Sequence, residues 1–457
     1  MSGLARRPAE LSSARGMTRR SPAPPSGRGL TRRYALIEFL TWLPPGLMMA
    51  PYVLLMTVRG LDLAQIGVVG AAYSVTIVVL ELPTGGLADV VGRRGVLAAA
   101  AAFSAVGLAT LALAGSFWPF FAAAVLKGIA RALSSGPAQA WYVDALHAEQ
   151  GSDADLKPGL AAGGAAGAIA LTLGILAGGA VPLLGLRDAL AVPVWTGAGA
   201  AVVLLVAALA IMHEPVRPHR ARVGQVVRDV PRTIAGGVRL ALVDRGLARL
   251  LLVAAAGGLL LTTIETLTPG RLAALTGLPE TGSTAYALVA AAGFAANAAG
   301  SSLTPAVARL AGGSVRAAVL ATVAVAVATG ALAASVTLHG WVAIAAMGAA
   351  YAVLFAALSV AMLLRDELMH KRVAADRRAT VMSVDSLQLQ FGALPASLCL
   401  VPLAGALGVG AAWAVVSVIV LASALLFVRL PERPAASLVE HHSVRGHNQA
   451  GTASQEG

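Results

Sequence analysis

Six ionisable side chains stand in or beside long apolar runs, and their types limit the chemistry available. Lys127 and Arg131 in "VLKGIARALSSG" are four residues apart, so one helix face carries both. Glu38 in "RRYALIEFL" and Glu265 in "LLLTTIETLTPG" sit among apolar and hydroxyl residues, while Glu81 and Asp385 fall near the ends of such runs. Charge at membrane depth is costly, which makes each a functional candidate. A pair of cations suits an anionic cargo; an isolated carboxylate suits a proton that is taken up and released. Plainer roles stand beside these. The cations could pair with buried carboxylates for assembly alone, Glu265 could neutralise Arg131 or Arg271, and Glu81 and Asp385 could serve structure or gating.

Other chemistries lack their residues. The three lysines, Lys127, Lys157 and Lys371, are never in a Gly-Lys-Ser/Thr context, so no phosphate-binding loop and no ATP motor is expected. The eight histidines read as loop or tail residues, which leaves none for a metal or a proton relay in the membrane. Cys399 is the one cysteine, excluding an intrachain disulfide and any multi-cysteine metal site. No nucleophile–base constellation is present. An enzyme is not expected, nor is a cofactor or a metal.

The elements that must hold these groups follow from composition. Of 457 residues 57% are hydrophobic and only 12% charged, with mean hydropathy +0.77, which places the chain in the membrane class. Its net charge of +12 gathers in the amino-terminal tail, a central loop and alternate short loops. That is the positive-inside pattern rather than a basic groove, so nucleic acid is not an expected partner. The abundance of arginine over lysine, with much alanine and glycine, suggests a GC-rich bacterial genome and hence a bacterial inner membrane.

A helix needs about 20 apolar residues to cross the hydrocarbon core. Twelve such stretches can be read, near 34–57, 64–84, 95–114, 117–140, 159–184, 189–211, 248–269, 283–306, 315–336, 340–364, 380–406 and 409–429. Each must be a helix, because lipid offers no partner to a free N–H or C=O. With the amino terminus inside, the inner loops carry Arg93, Arg94, Lys157, the basic segment 212–247, Arg309, Arg316 and "KRVAADRR". The outer loops carry only Arg59, Arg187 and Arg271. Both termini are therefore expected in the cytoplasm. "TRRYALIEFL" is not a twin-arginine signal, since its apolar stretch is too long and no cleavage site follows; Met17 is a second candidate start.

The segment 212–247 splits the spans six and six, and "VVRDVPRTIAGGVRLALVDRGLARLL" reads as an amphipathic helix on the inner surface. "HEPVRP" after span six is echoed by "LPERP" after span twelve. Two related halves are the mark of a duplicated secondary transporter. The expected organisation is a disordered tail over 1–33, a six-helix bundle over 34–211, the linker 212–247, a second bundle over 248–430 and a disordered tail over 431–457.

Between spans two and three lies "GGLADVVGRR", a charged, glycine-rich turn. Gly85-x-Leu87-Ala88-Asp89-x-x-Gly92-Arg93-Arg94 resembles the signature loop of the major facilitator superfamily, with Val90 where many members carry a basic residue. The resemblance implies an all-α membrane protein, twelve transmembrane helices in two pseudo-symmetric six-helix bundles around a cavity. It further implies that Asp89 grips the start of span eleven near "RRATVMSVDSL" while Arg93 pairs with Asp144 at the inner end of span four. A helix amino terminus attracts such a carboxylate by about 1 kcal/mol. The second half keeps the shape as "VARLAG", with Arg309 in place of Asp89.

Span five, "GGAAGAIALTLGILAGGAVPLLG", resembles a degenerate form of the family's antiporter motif at Gly174, Gly178, Gly179 and Pro182; ordinary small-residue packing is the other reading. The expectation is a monomeric secondary transporter that exports a small organic molecule against protons. Its alternatives are a proton-coupled or facilitative importer of a small metabolite, an anionic one suiting the cation pair, and a membrane sensor or binding protein that transports nothing. Asp89→Asn is expected to abolish transport while sparing cargo binding; transport at the parental rate would remove the latch.

Overall fold

The computed structural model describes residues 27–214, 244–373, 378–428 and 430, without the side chains of Leu82, Pro83, Asp89, Arg378, Ala379, Thr380, Met382 and Ser383. Residues 1–26, the carboxy-terminal tail and nearly all of the linker, with most of its expected surface helix, lie outside the described residues. Residues 27–33, expected in the disordered tail, are instead the first turns of a helix that begins at Gly27. The described chain is helical. Eleven helices are long and apolar enough to cross a membrane, and the shorter apolar helix Val409–Ala424 makes the twelfth span. The protein is a multi-pass membrane protein.

The first span is α1 (Gly27–Met49) continued by α2 (Tyr52–Val58), broken where Pro51 interrupts it. Spans two and three are α3 (Leu63–Val91) and α4 (Arg93–Leu113); span four is α5 (Phe117–Ser134) with its extension α6 (Pro137–Gln150). Spans five and six are α7 (Lys157–Ala180) and α8 (Val192–Ile211). In the second half α9 (Arg245–Thr276), α10 (Pro279–Leu310), α11 (Ser314–Ala334) and α12 (Gly340–Arg372) form spans seven to ten. Span eleven is α13 (Arg378–Pro395), a π turn over Ala396–Leu400 and α14 (Val401–Leu407), and span twelve is α15 (Val409–Ala424).

Local chemistry sets the boundaries. Asp62 and Gln65 close a capping box at the start of α3, and Asp244 accepts the amides of Gly246 and Leu247 to start α9. Prolines open α6, α7, α8 and α10, where their missing N–H has no helical partner to lose. "RGLARLL", read as the end of a surface helix, begins α9 instead.

The two halves repeat one packing scheme. In the first, span one packs on five and six, three on four and six, and two on four. In the second, seven packs on eleven and twelve, nine on ten and twelve, and eight on ten. Every pair is its counterpart moved on by six spans. Each half holds two buried apolar clusters, one above the other. The halves meet where span two crosses eleven and five crosses eight.

The tightest approach joins α1 to α7. A methyl group on Gly174 would stand 2.9 Å from the backbone of Gly46, and one on Gly46 2.9 Å from the Leu171 carbonyl. The same face of α7 offers Gly163 to Tyr34 and Gly167 to Trp42, so both rings occupy space that a side chain on α7 would need. Gly174→Ala is expected to destabilise the protein by about 1–3 kcal/mol, because neither backbone can yield. Gly199→Ala on α8, where a methyl meets nothing within 4 Å, is expected to be neutral or stabilising by roughly half a kcal/mol. Thermal unfolding of the two purified variants checks the opposite signs.

Candidate functional site

A cavity of about 350 Å³ opens at mid-depth in the amino-terminal half. It lies in the seam between that half's two apolar clusters, touching Leu108 of one and Ala100, Ala101, Ala138 and Leu204 of the other. Small residues on α4 leave the room. Pro44 and Pro45 on α1 also line it; their rings remove the two amides that a regular helix would direct at the Leu40 and Thr41 carbonyls.

Glu38, Lys127 and Arg131 all line this one space, with Tyr73 and Trp42. The Lys127 ammonium stands 3.9 Å from the Tyr52 ring centroid and 5.8 Å from that of Tyr73. The Arg131 guanidinium lies 5.6 Å from the Trp42 ring. Aromatic faces stabilise such cations by about 0.5–2 kcal/mol without neutralising them. Among the described residues no carboxylate ion-pairs with either cation. Pairing for assembly is therefore not how this structure uses them.

Glu38 sits one turn from both Tyr34 and Trp42 on α1, and Tyr34 stacks on Tyr142 of α6 at 4.7 Å. Glu265 is not among the cavity-lining residues. It belongs to the other half, within electrostatic reach of Tyr286, Tyr351 and, across the interface, Tyr73. Its suggested partner Arg271 is engaged elsewhere: one guanidinium nitrogen donates to the Val336 and Leu338 carbonyls at 2.9 and 3.0 Å. Arg59 does the same for the first half, donating to the carbonyls of Ala112 and Ala114 and pairing with Asp188 at 2.6 Å. Both arginines cap the end of their half's third helix, on the face away from the described chain ends.

On the terminal face the glycine-rich stretch is not the turn that its composition suggests. Helix α3 runs through Gly85 and Gly86 to Val91, and only Gly92 turns, at φ +106°. A side chain there would also strike the Glu214 carboxylate, 2.6 Å from where its first carbon would lie. Glu214, from "HEPVRP", accepts the Arg94 amide at 2.6 Å and so sits at the positive end of α4. Arg93 reaches Asp144 at 2.9 Å. The side chain of Asp89 lies outside the described residues. In the second half the turn between Leu310 and Ser314 is longer, so Arg309 does not stand in strict register with Asp89; its guanidinium faces its own helix at the Pro305 carbonyl. Ser314 there donates to Glu367 at 3.0 Å, where the first half has Arg93 and Asp144.

One buried cation escapes a reading of the sequence. Arg365, in "LLRDELMHKR", looks like the first charge of a loop, yet α12 continues to Arg372. Its side chain is only 3% exposed and pairs with Asp385 of span eleven at 2.5 Å and with Asp366 at 2.9 Å. Next to Asp385, Ser386 donates to Glu81 of span two at 2.8 Å, a hydrogen bond between the halves. His147 and His370 likewise fall on helical extensions rather than loops. No group of three or more potential metal ligands forms among the described residues.

Two bundles, a repeated packing scheme and a charged cavity coincide with a family model. The model described as Major Facilitator Superfamily matches residues 35–393. The chain belongs to the Major Facilitator Superfamily. Solved transporters of this superfamily's fold align along nearly their whole length. The nucleoside transporter NupG gives a TM-score of 0.72 at 14% identity, covering 88% of this chain and 98% of that one. A POT family transporter in complex with a thioalcohol-conjugated peptide gives 0.63 at 14%, covering 89% and 97%. The human organic anion transporter MFSD10 gives 0.58 at 19%, covering 88% and 100%. No curated protein matches the sequence significantly. The superfamily makes the chain a transporter rather than an enzyme.

The fifth-span glycines divide between two contacts. Gly174 and Gly178 face the backbone of α1, while Gly179 meets Ser283, Thr284 and Ala287 of α10, and the Thr284 hydroxyl donates to the Gly179 carbonyl at 2.6 Å. Pro182 is buried in the turn after α7. Close packing accounts for all of them. For the buried pair, Arg365→Met is expected to cost about 3–5 kcal/mol by leaving Asp385 alone. The double variant Arg365→Met/Asp385→Leu should recover most of that loss in thermal unfolding; equal loss in both would show that the pair is not its source.

Proposed function

We propose that this protein is a proton-coupled secondary transporter of a small organic molecule, working by alternating access in a bacterial inner membrane with its terminal face in the cytoplasm. The observation that carries the reading is the cavity, where Glu38, Lys127 and Arg131 share one space at membrane depth. Charge held there without an ion-pair partner among the described residues is free to meet cargo. Glu38 and Glu265 are the proton carriers of the proposal, one in each half. Gly85, Asp89, Gly92, Arg93, Arg94 and Asp144 form its terminal-face gate, and Glu81 and Asp385 act beside it through the Ser386 contact.

Export in exchange for protons, as in the drug/proton antiporter branch, draws its support from the fifth-span resemblance and the embedded carboxylates. The packing of Gly174 and Gly178 against α1 gives those glycines a sufficient structural reason. A second reading, uptake of an anionic metabolite, is favoured by the two cations that face rings instead of carboxylates. The organic anion and nucleoside transporters that share the fold are consistent with either direction.

A susceptibility screen of an overexpressing strain supplies the cargo for reconstitution. In proteoliposomes an imposed pH gradient should then drive accumulation. Glu38→Gln and Glu265→Gln should each abolish accumulation while leaving exchange down a cargo gradient. If both variants still accumulate cargo, proton coupling through these carboxylates is wrong, and if the parent moves no solute at all the sensor reading replaces transport.

A further inference from the structure

The cavity's charge has a sign, and the sign fixes what can share it. Among the lining residues Lys127 and Arg131 outnumber Glu38, so with both cations charged the lining carries one formal positive charge with Glu38 ionised and two with it protonated. Glu81 and Glu265 act on Tyr73 from outside this lining. The groups facing Glu38 do not alter this count. Its own helix supplies Tyr34 and Trp42, α6 supplies Tyr142 through its stacking on Tyr34, and α3 supplies Tyr73. Helix α7 presents Gly163 and Gly167 at this level, and α4 and α8 present Ala100, Ala101, Ser104 and Leu204. Lys157, the lysine of α7, is exposed at its first residue.

The rest of the lining describes the cargo's body. Pro44, Pro45, Met48 and Leu108 offer apolar surface, and Trp42 and Tyr73 offer ring faces. Every one of these residues comes from the amino-terminal half. A dication or a sugar would leave the cations without counter-charge, and an unpaired charge in a dry site is unfavourable. A single anionic group answers both cations at once, the guanidinium with a fork and the ammonium as a point charge.

Resting on the transport reading, we infer that this cavity takes a small organic monoanion with an apolar or aromatic body, and that a proton on Glu38 loads with it. The coupling follows from electrostatics. An ionised Glu38 repels an anion that fills the same space, and a neutral one does not. By linkage, a proton that favours the anion is itself favoured by the anion. Competitive loading, which exchange needs, would have the opposite sign. Anion and proton therefore travel in the same direction, and this cavity loads the anion together with the proton of Glu38.

Probes of fixed charge test this, because pH then acts on the protein only. The purified full-length protein in nanodiscs is titrated with benzenesulfonate, benzyltrimethylammonium and benzyl alcohol, read by thermal unfolding in mildly acidic and mildly alkaline buffer. Benzenesulfonate should stabilise the protein, and bind roughly fivefold or more tightly in the acidic buffer. Glu38→Gln should bind it with the acidic-buffer affinity in both. Arg131→Gln should lose binding while unfolding, without probe, at the parental temperature. Benzenesulfonate bound with no pH dependence, or more tightly in alkali, overturns co-loading and leaves the transport reading standing. Stabilisation by the ammonium or the alcohol alone, or by none of the three, overturns the anion class. Accumulation in proteoliposomes then decides the transport reading separately.

Discussion

The contact between the first and fifth spans governs the rest of the amino-terminal half. Two glycines, Gly46 and Gly174, let the backbones touch, and no side chain can be inserted between them. In lipid there is no hydrophobic force to press helices together, so such contact is what fixes their spacing. It seats Trp42 against Gly167, and Trp42 in turn backs Arg131. Glu38 is carried on the same face, one turn away. A looser crossing would leave the cavity's charges without fixed positions, and a preorganised cation is worth more to an anion than a mobile one.

Scaffold and chemistry follow different symmetries. The packing of helices repeats faithfully from one half to the other, and so do the arginine caps at Arg59 and Arg271. The charges at membrane depth do not repeat. The first half gathers two cations and a carboxylate around an open space, while the second closes around tyrosines and keeps Glu265 and the Arg365–Asp385 pair. Even the mirrored contact at the terminal face has changed from an ion pair, Arg93 to Asp144, to a hydroxyl, Ser314 to Glu367. The packing frame repeats, and among the described residues the first half gathers its charges around an open cavity while the second does not.

The spans were legible because membrane crossing imposes length and apolarity on a contiguous stretch, which a sequence displays directly. Lys127, Arg131 and Glu38 were legible for the same reason: each breaks an apolar run. What stayed hidden depends on separation or on helix continuation. Arg365 could not be told from a loop residue until α12 was seen to run eight residues past span ten's expected end, to Arg372. Glu214 caps a helix 120 positions away in sequence, which no local pattern records. Glycines mislead in the opposite direction. Gly85 and Gly86 suggested a turn, yet a helix supported by neighbours absorbs them, and the chain turns only where φ is positive at Gly92.

The paired arginine caps carry a consequence for leakage. A carrier that holds a proton gradient fails if its rim offers protons a chain of groups that can each accept one and pass it on. The carbonyl-rich ends of spans three and nine would invite water to build such a chain. Arg59 and Arg271 occupy those carbonyls with guanidinium groups, which offer donors and no acceptor. A lysine would fill the same space, but it surrenders its proton more readily once desolvated. The far rim thus presents donors where bare carbonyls would otherwise face water.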